Sequence, residues 1–251
     1  MIGIIIQARM GSKRLPGKMI RKILGKTVLE HVIFRLKKIK APSLIILATT
    51  TNKKDSILEE IAKENKIKVF RGSEDDVLDR YYQTAKQFAI DPIVRITADC
   101  PVLDWQICDE VISFYLDNKF DYVSNVRPPT FPDGLDIEVF SFKALEKTWQ
   151  NAKLKSEREH VTAYIGNHPE IFRIGNFIRN GNDLSGLRLT LDEAKDLILI
   201  RKIYGALYKK KRYFVLDDIL NFFGQKPELL KINKTIKRNE GLLKSLAGDR
   251  C

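Results

Sequence analysis

The chain has 251 residues, of which 44% are hydrophobic and 30% are charged. A chain of this length buries a substantial core, and the composition excludes a disordered or a fibrous protein. The net charge of +12 is spread along the chain, so it indicates solvated helix faces more than a nucleic-acid-binding surface.

Targeting and redox signals narrow the class further. No apolar run approaches the roughly 20 residues that span a bilayer, and the N-terminus lacks the pattern of a secretory signal. Cys100, Cys108 and Cys251 form an odd set without CxxC spacing, which argues against a disulfide framework and a structural zinc site. We therefore expect a cytoplasmic protein with reduced thiols and no membrane insertion.

The first half of the chain alternates between strand and helix patterns. An isoleucine-rich run over 1–7 predicts a buried strand, which the turn-rich segment 11–17 ends. Thr27 stands three residues before Glu30, a capping-box spacing that predicts the start of a helix. The same reasoning predicts, in chain order, strand 44–50, helix 56–65, strand 68–71, helix 76–89, strand 93–98, helix 105–118 and strand 122–126. This alternation predicts a three-layer α/β fold with a doubly wound, mostly parallel sheet.

The pattern changes after residue 126. Residues 127–134 are dense in turn formers and interrupt the alternation. Beyond them the sequence predicts strand 137–140, helices 141–152 and 157–167, strands 171–177 and 187–191, and a basic helical tail from residue 193 that we expect to be structural. We expect a single domain over 1–251, in which residues 127–177 form a small inserted arm.

The loop after the first strand combines glycines with cations. Residues 7–18 read QARMGSKRLPGK, at the carboxyl end of a strand, where open α/β sheets bind their ligands. Glycine lets the backbone approach a ligand closely, and Arg and Lys compensate the charge of phosphates. Five residues separate Gly11 from Gly17 and Met19 follows Lys18, so this is not a Walker loop, and no GxGxxG pattern is present. The segment is predicted to cradle phosphates, with a basic surface turn as the alternative.

The whole phrase resembles the signature A-R-x-G-S-x-R-L-P-G-K of the sugar-nucleotide-forming cytidylyltransferases. Gly25-Lys26 and the phrases at 71–81 and 95–101 resemble the spore-coat polysaccharide branch, and the similarity extends from residue 1 to about residue 200. Relatives include the CMP-3-deoxy-manno-octulosonate and CMP-sialic acid synthetases. The resemblance implies a nucleotide-diphospho-sugar transferase-like fold, CTP as a substrate, Mg²⁺ as cofactor, and transfer of CMP with release of pyrophosphate. The expected acceptor is a sugar acid or a small phosphorylated compound, in surface polysaccharide biosynthesis.

The resemblance assigns the nucleotide site residue by residue. The predicted nucleotide-binding residues are Gln7, Ala8, Arg9, Gly11, Ser12, Arg14, Lys18, Arg71 and Arg80. The predicted catalytic residues are Arg14, Lys18 and Asp99. The acidic residues at 74–79, beside the segment that resembles the family's base wall, could equally form the first turn of a helix.

Two aspartates are predicted magnesium ligands. Asp99 directly follows the apolar strand 93–98, so its carboxylate should stand at the functional edge of the sheet. Asp192 lies in the segment that resembles the family's late metal-binding phrase. Either could instead be a helix N-cap, and Asp196 could be a further family carboxylate or a first-turn charge.

Two further phrases, 131–138 and 156–162, resemble the acceptor-binding parts of the spore-coat branch. The predicted acceptor-binding residues are Asp133, Gly134, Asp136, Glu138, Arg158, Glu159 and His160. Asp136 and Glu138 alternate along a strand, so they could pair with Arg158 across the pocket or mimic a glycosyltransferase metal motif. His160 could be a base near neutral pH, or it could be packed and hydrogen-bonded.

Two functions of other classes remain open. A glycosyltransferase would consume a nucleotide sugar, and a basic nucleic-acid-binding module would bind oligonucleotides without turnover. The loop disfavours both, so CTP and a small acceptor are the expected partners and nucleic acid is not. A CDP-linked product remains open beside a CMP-linked one. Relatives dimerise through the inserted arm, and the resemblance therefore implies a homodimer.

Overall fold

The computed structural model describes residues 1–249, apart from the side chain of Lys244, so Cys251 lies outside the described residues. Over this part of the chain the strands are β1 (Gly3–Gln7), β2 (Lys22–Ile23), β3 (Lys26–Thr27), β4 (Leu44–Thr50), β5 (Lys68–Gly72), β6 (Ile93–Thr97), β7 (Tyr122–Ser124), β8 (Glu138–Phe140) and β9 (Ile174–Asn176).

The helices over the same residues are α1 (Val28–Leu36), α2 (Ser56–Glu64), α3 (Val77–Gln87), α4 (Trp105–Leu116), α5 (Phe142–Asn151), α6 (Lys155–Glu159), α7 (Ala163–Asn167), α8 (Ala194–Leu207), α9 (Leu216–Gln225) and α10 (Glu240–Gly248). Short 3-10 helices cover Lys18–Ile20, Lys53–Asp55 and Pro227–Lys231.

Seven strands form the central sheet, in the order β5-β4-β1-β6-β8-β7-β9. β1 pairs in parallel with β4 on one side and with β6 on the other, over its full length. β8 runs antiparallel between β6 and β7, and β7 pairs in parallel with β9. The predicted mostly parallel α/β sheet is therefore confirmed.

The sheet separates two cores. Alternate residues of a strand face opposite sides, and Ile4 and Ile6 enter one core while Ile5 enters the other. Helices α1, α2, α4, α8 and α9 supply apolar side chains to the first core, and α3, α5 and α7 supply them to the second. Each fully buried isoleucine contributes about 1.5–3 kcal/mol relative to an exposed one. The three-layer architecture is confirmed.

The start of α1 shows how the local sequence sets an element. The Thr27 hydroxyl accepts a hydrogen bond from the Glu30 amide at 3.2 Å, and the Glu30 carboxylate accepts one from the Thr27 amide at 2.6 Å. Both amides lack partners within the helix, so each side chain satisfies a donor that would otherwise be unpaired. The predicted capping box is confirmed.

The second half of the chain departs from the predicted elements. β8 and β9 belong to the central sheet, so the predicted arm at 127–177 is joined to the main domain through two of its strands. The predicted helix 157–167 is divided into α6 and α7, because Val161 between them has a φ of 54°. Whether this region forms a dimer contact stays a prediction.

The predicted strand 187–191 is wrong. The segment is extended but has one isolated bridge, between Asp133 and Arg188. The Leu189 amide donates to the Asp133 carbonyl at 2.7 Å, and the Leu191 amide donates to the Asp99 carbonyl at 2.8 Å. The segment therefore crosses from a loop to the end of β6 instead of pairing along the sheet.

No helix among residues 1–249 is both long enough and apolar enough to cross a bilayer.

Candidate active site

A cleft of about 450 Å³ opens at the carboxyl ends of β1 and β6. It brings together most of the predicted nucleotide and metal residues and two of the predicted acceptor residues. Those that line it are Gln7, Ala8, Arg9, Gly11, Ser12, Arg14, Lys18, Arg80, Asp99, Asp192, Glu159 and His160. The cleft lies where ligands of open α/β sheets bind.

Buried side chains hold the loop that follows β1 against the core of the protein. Leu15 and Met19 are buried in the first core, so the loop is anchored on both sides of Gly17. Gly17 has a φ of 66°, in the left-handed region that other residues rarely adopt, which accounts for glycine at this turn. The buried carboxylate of Asp55 accepts a hydrogen bond from the Met10 amide at 2.7 Å. Asp55 was not predicted, because no local motif links it to a loop 45 residues earlier.

Lys18 joins the two predicted metal ligands. Its Nζ lies 2.8 Å from Asp99 Oδ2 and 2.8 Å from Asp192 Oδ1. Burial opposes the charge of Lys18, but the two carboxylates hold its pKa above the usual value. Burial likewise works to raise the pKa of Asp99, and Lys18 more than reverses this, so that this pKa lies below the usual value. Around neutral pH Lys18 and Asp99 are therefore both charged.

The donor set suits a magnesium ion. Two carboxylates approach one Nζ atom, so a single cation placed between them could contact both. Mg²⁺ is typically held by one or two carboxylates together with substrate phosphates and water. Within residues 1–249 no three His, Cys, Asp or Glu side chains gather into a metal-binding group. The residues present thus fit an ion that completes its coordination with phosphate oxygens.

A buried ion-pair network positions Asp192. Arg188 contacts Asp192 at 3.2 Å, Asp196 at 3.0 Å and Asp133 at 2.8 Å. Asp196 is fully buried and also accepts hydrogen bonds from the amides of Asp192 and Glu193. Of the two interpretations of Asp196, the structure favours the structural one, at the start of α8. Asp133 is held by Arg188 and is not brought to the cleft.

Arg80 lies in the wall of the cleft with unused donor capacity. Its side chain is buried, and its Nη1 donates to the Ser73 carbonyl at 2.6 Å. Its Nε is also buried and has no hydrogen-bond partner. Burial lowers the pKa of Arg80. An unpaired buried donor is costly unless a ligand satisfies it.

The opposite wall comes from α6 and α10. Gly241 and Ser245 line the cleft beside Glu159 and His160. The sequence predicted only a structural tail here, since neither spacing nor resemblance connected residues 240–249 with a site. Helix α10 therefore belongs to the cleft.

Arg14 connects the two walls. It contacts Asp192 at 2.9 Å and Glu240 at 3.5 Å. His160 Nε2 lies 3.1 Å from Ser245 Oγ, and burial lowers the pKa of His160.

Comparison with known proteins decides between the remaining interpretations. A family model described as cytidylyltransferase matches residues 3–234. The chain belongs to this cytidylyltransferase family. The spore coat polysaccharide biosynthesis protein SpsF of Bacillus subtilis is 33% identical over 212 residues, which are 80% of this chain and 85% of that protein.

Solved structures agree with this assignment. A cytidylyltransferase from Leptospira borgpetersenii superposes with a TM-score of 0.88 at 36% identity, covering 94% of this chain and 99% of that one. CMP:2-keto-3-deoxy-manno-octonic acid synthetase, solved in complex with CTP, superposes with a TM-score of 0.63 at 16% identity. It covers 82% of this chain and 99% of that chain, and at this identity it supports the fold alone. The predicted family and fold are confirmed.

Arg71 of this cytidylyltransferase lies outside the cleft. Its guanidinium donates to the carbonyls of Thr50 and Asn52 at 2.9 and 2.8 Å, and it pairs with Glu59 at 3.0 Å. These contacts occupy its donors and brace the turn after β4. The predicted contact with the nucleotide is not seen, because the side chain points to a neighbouring loop.

Glu138 is a structural residue of the cytidylyltransferase sheet. It is buried, and it pairs with Arg95 on the neighbouring strand β6. Burial works to raise the pKa of Glu138, but Arg95 and hydroxyl groups of Thr162 and Tyr122 hold it below the usual value. With its oxygens occupied in this way, the structure does not bring Glu138 to the acceptor side of the cleft.

The remaining predicted acceptor residues also have other partners. Asp136 contacts Arg238 at 2.8 Å, and Arg158 contacts Asp76 at 3.0 Å, so the predicted pairing of Arg158 with Asp136 or Glu138 is wrong. Gly134 has a φ of 102°, and a Cβ there would lie 2.4 Å from the Thr190 amide nitrogen. Gly134 thus permits close packing of two backbone segments and does not line the cleft.

Proposed function

We propose that this cytidylyltransferase transfers CMP from CTP to a sugar acid or a small phosphorylated acceptor and releases pyrophosphate, with Mg²⁺ as cofactor. The observation that carries the proposal is the convergence of Lys18, Asp99 and Asp192 beside the glycine-containing loop. A cation between two carboxylates at the carboxyl ends of the strands is an arrangement suited to a triphosphate and its metal ion.

The proposed reaction is an in-line displacement. An oxygen of the acceptor forms a bond to the α-phosphorus of CTP, the bond from that phosphorus to the pyrophosphate oxygen breaks, and the acceptor's proton passes to solvent. Phosphoryl transfer of this kind needs positioning and charge stabilisation more than covalent catalysis. No covalent intermediate with the enzyme is expected.

The proposed roles of the residues follow from their positions in the cleft. Lys18 and Arg14 lie in the loop and would stabilise the charge that grows on the phosphate oxygens. Asp99 and Asp192 would hold the Mg²⁺ ion, which neutralises phosphate charge when it is bound. When the nucleotide enters, Lys18 would leave these carboxylates and contact the phosphates instead.

Arg80 supplies a further nucleotide contact on this account. Its buried Nε has no partner in the protein and lies in a cleft-lining residue. An oxygen of the bound nucleotide would accept a hydrogen bond from the part of the Arg80 guanidinium that lines the cleft.

Three further properties complete the proposal. A relative named for spore coat polysaccharide biosynthesis supports a product used in surface polysaccharide synthesis. We also infer a cytoplasmic enzyme and a homodimer formed through residues 127–177, on the resemblance described above. Sedimentation of the purified protein tests the dimer, since a monomer at all accessible concentrations would contradict it.

Pyrophosphate release tests the function. The enzyme and Mg²⁺ are incubated with CTP, UTP, ATP or GTP, each with a panel of 3-deoxy sugar acids and small phosphorylated acceptors. We expect release that requires CTP and one class of acceptor, and that stops when Mg²⁺ is chelated. Sugar transfer from a nucleotide sugar without pyrophosphate release would instead support the glycosyltransferase alternative.

A further inference from the structure

Helix α10 forms one wall of the cleft although it lies at the end of the described chain. Its residues Gly241 and Ser245 line the cleft. The other face of the helix carries Leu243, which is 57% exposed, and Leu246, which is 37% exposed. The helix thus turns Ser245 toward the cleft and Leu243 toward solvent.

Contacts outside the cleft hold this helix in place. Just before its start, Arg238 donates to the Phe131 carbonyl at 3.1 Å and to Asp136 at 2.8 Å. Just after its end, the Asp249 carboxylate accepts a hydrogen bond from the Ser156 amide at 3.1 Å. The position of α10 therefore does not depend on Ser245 alone.

Ser245 has hydrogen-bonding capacity left over in the cleft. Its Oγ donates to Glu159 Oε2 at 2.8 Å and lies 3.1 Å from His160 Nε2. A hydroxyl has one donor and two acceptor lone pairs, so with His160 donating from Nε2 one lone pair remains. Glu159 adds further acceptor capacity, since its other oxygen has only a 4.0 Å contact with Arg9.

The charged side chains differ between the two walls of the cleft. Glu159 on the α6 side of the cleft repels anionic groups, while Arg9 and Lys13 lie on the loop side. Lone pairs and carboxylates attract the O–H donors of a hydroxylated compound. We propose that α10 forms the wall of the acceptor subsite and that Ser245, together with Glu159, accepts a hydrogen bond from an acceptor hydroxyl.

This inference rests on the proposed function, and Ser245→Ala tests it by the separation of two Michaelis constants. For the acceptor of the panel that supports turnover, we expect the KM for the acceptor to rise about 3- to 10-fold. This rise corresponds to the loss of one neutral hydrogen bond. The KM for CTP should stay unchanged. Leu243→Ala, on the exposed face of the same helix, should change neither constant. An unchanged acceptor KM, or an equal rise in both constants, would overturn the proposal.

Thiol labelling provides a second readout that does not need turnover. Ser245→Cys and Leu243→Cys are each placed in a Cys251→Ser background, where the remaining cysteines Cys100 and Cys108 are buried. In the presence of CTP and Mg²⁺, a 3-deoxy sugar acid or phosphorylated acceptor of the panel should slow labelling by N-ethylmaleimide several-fold at 245 and not at 243. If no compound slows labelling at 245 although CTP binds, the acceptor assignment is wrong. If CTP itself does not bind, the proposed function fails first.

Discussion

The two walls of the cleft are built in different ways. On the wall that carries Lys18, Asp99 and Asp192, the side chains stand at strand ends or on segments tied to them. A buried arginine, Arg188, braces Asp192 from behind. On the wall made by α6 and α10, the contacts of Glu159 and Ser245 are polar and partly exposed. Buried, fully paired charges fix a geometry tightly, whereas exposed polar contacts are individually weak.

On the proposed function, the first wall would serve phosphoryl transfer and the second would select the acceptor. Displacement at phosphorus needs charges held within narrow limits, and on the proposed function the wall of Lys18, Asp99 and Asp192 would provide them. Acceptors differ in the pattern of their hydroxyl groups, so on our proposal the wall of α6 and α10 would determine which acceptor binds. Substitutions in the braced wall should therefore lower turnover, and substitutions in the other wall should change the acceptor KM.

The largest effect is expected for Asp99→Asn. The amide keeps the shape of the side chain but removes the charge that faces Lys18 and the proposed metal ion, so turnover should fall about 10²- to 10³-fold. Steady-state pyrophosphate release checks this, with a titration of Mg²⁺. Asp183→Asn, an exposed aspartate in another loop, is the control and should behave as wild type. Full activity of Asp99→Asn would remove Asp99 from the site.

A somewhat smaller effect is expected for Lys18→Ala. If Lys18 supplies about 2–3 kcal/mol of selective transition-state stabilisation, turnover should slow by roughly 30- to 150-fold. Lys22→Ala, an exposed lysine four residues along, should leave turnover unchanged. Circular dichroism establishes that both variants are folded. Near-normal turnover of folded Lys18→Ala would contradict the proposed role.

Gly134→Ala tests the packing that supports the segment of Asp192. The added Cβ would lie 2.4 Å from the Thr190 amide nitrogen, at a φ of 102°, next to the segment that carries Asp192. The free energy of unfolding should fall by about 2–4 kcal/mol, from backbone strain and the clash. Urea denaturation measures this loss. Gly186→Ala has no atom within 4 Å of the new Cβ and should change stability little, so equal losses in both variants would refute the explanation.

The smallest expected effect is a pH dependence of stability that arises from His160, on the wall made by α6 and α10. Burial lowers the pKa of His160, so the unfolded chain binds a proton more readily than the folded one. The contribution of neutral His160 to stability is therefore complete above the unfolded pKa of about 6.5 and is lost as pH falls through the lower folded pKa.

His160→Gln isolates this contribution, because glutamine can still donate to Ser245. The difference in free energy of unfolding, wild type minus His160→Gln, should decrease as pH falls from about 7 to about 5. Urea denaturation at several pH values measures it, and His31 is present in both proteins and cancels. A difference that grows as the pH is lowered would contradict burial as the cause.

The braced wall could largely be predicted from the sequence. Parallel strands bring their carboxyl ends to one edge, so the loop after β1 and Asp99 after β6 had to lie close together once the strands were recognised. The family phrase then assigned Lys18 and Asp192. Local patterns did not reveal the support behind them. Asp55 acts over 45 residues, and Arg188, although only four residues before Asp192, carries no motif.

The wall made by α6 and α10 could be predicted only in part. Resemblance led to Glu159 and His160, which line the cleft, and their contact with an acceptor stays a prediction. Asp136, Glu138 and Arg158 instead pair with residues whose proximity depends on tertiary structure. Val161 ends the regular helix with a positive φ that its side chain disfavours, so tertiary contacts override the local helical pattern. The place of α10 follows from contacts of Arg238 and Asp249, which no spacing in the sequence announces.

The most direct test of the account compares the two products of one reaction. Wild type and Lys18→Ala are incubated with Mg²⁺, CTP and the active acceptor, and pyrophosphate and the CMP-linked acceptor are quantified together by mass spectrometry. We predict one CMP-linked product for each pyrophosphate released, with both rates falling in parallel in Lys18→Ala. Pyrophosphate release without a CMP-linked product, or wild-type rates in the variant, would contradict cytidylyl transfer by this site.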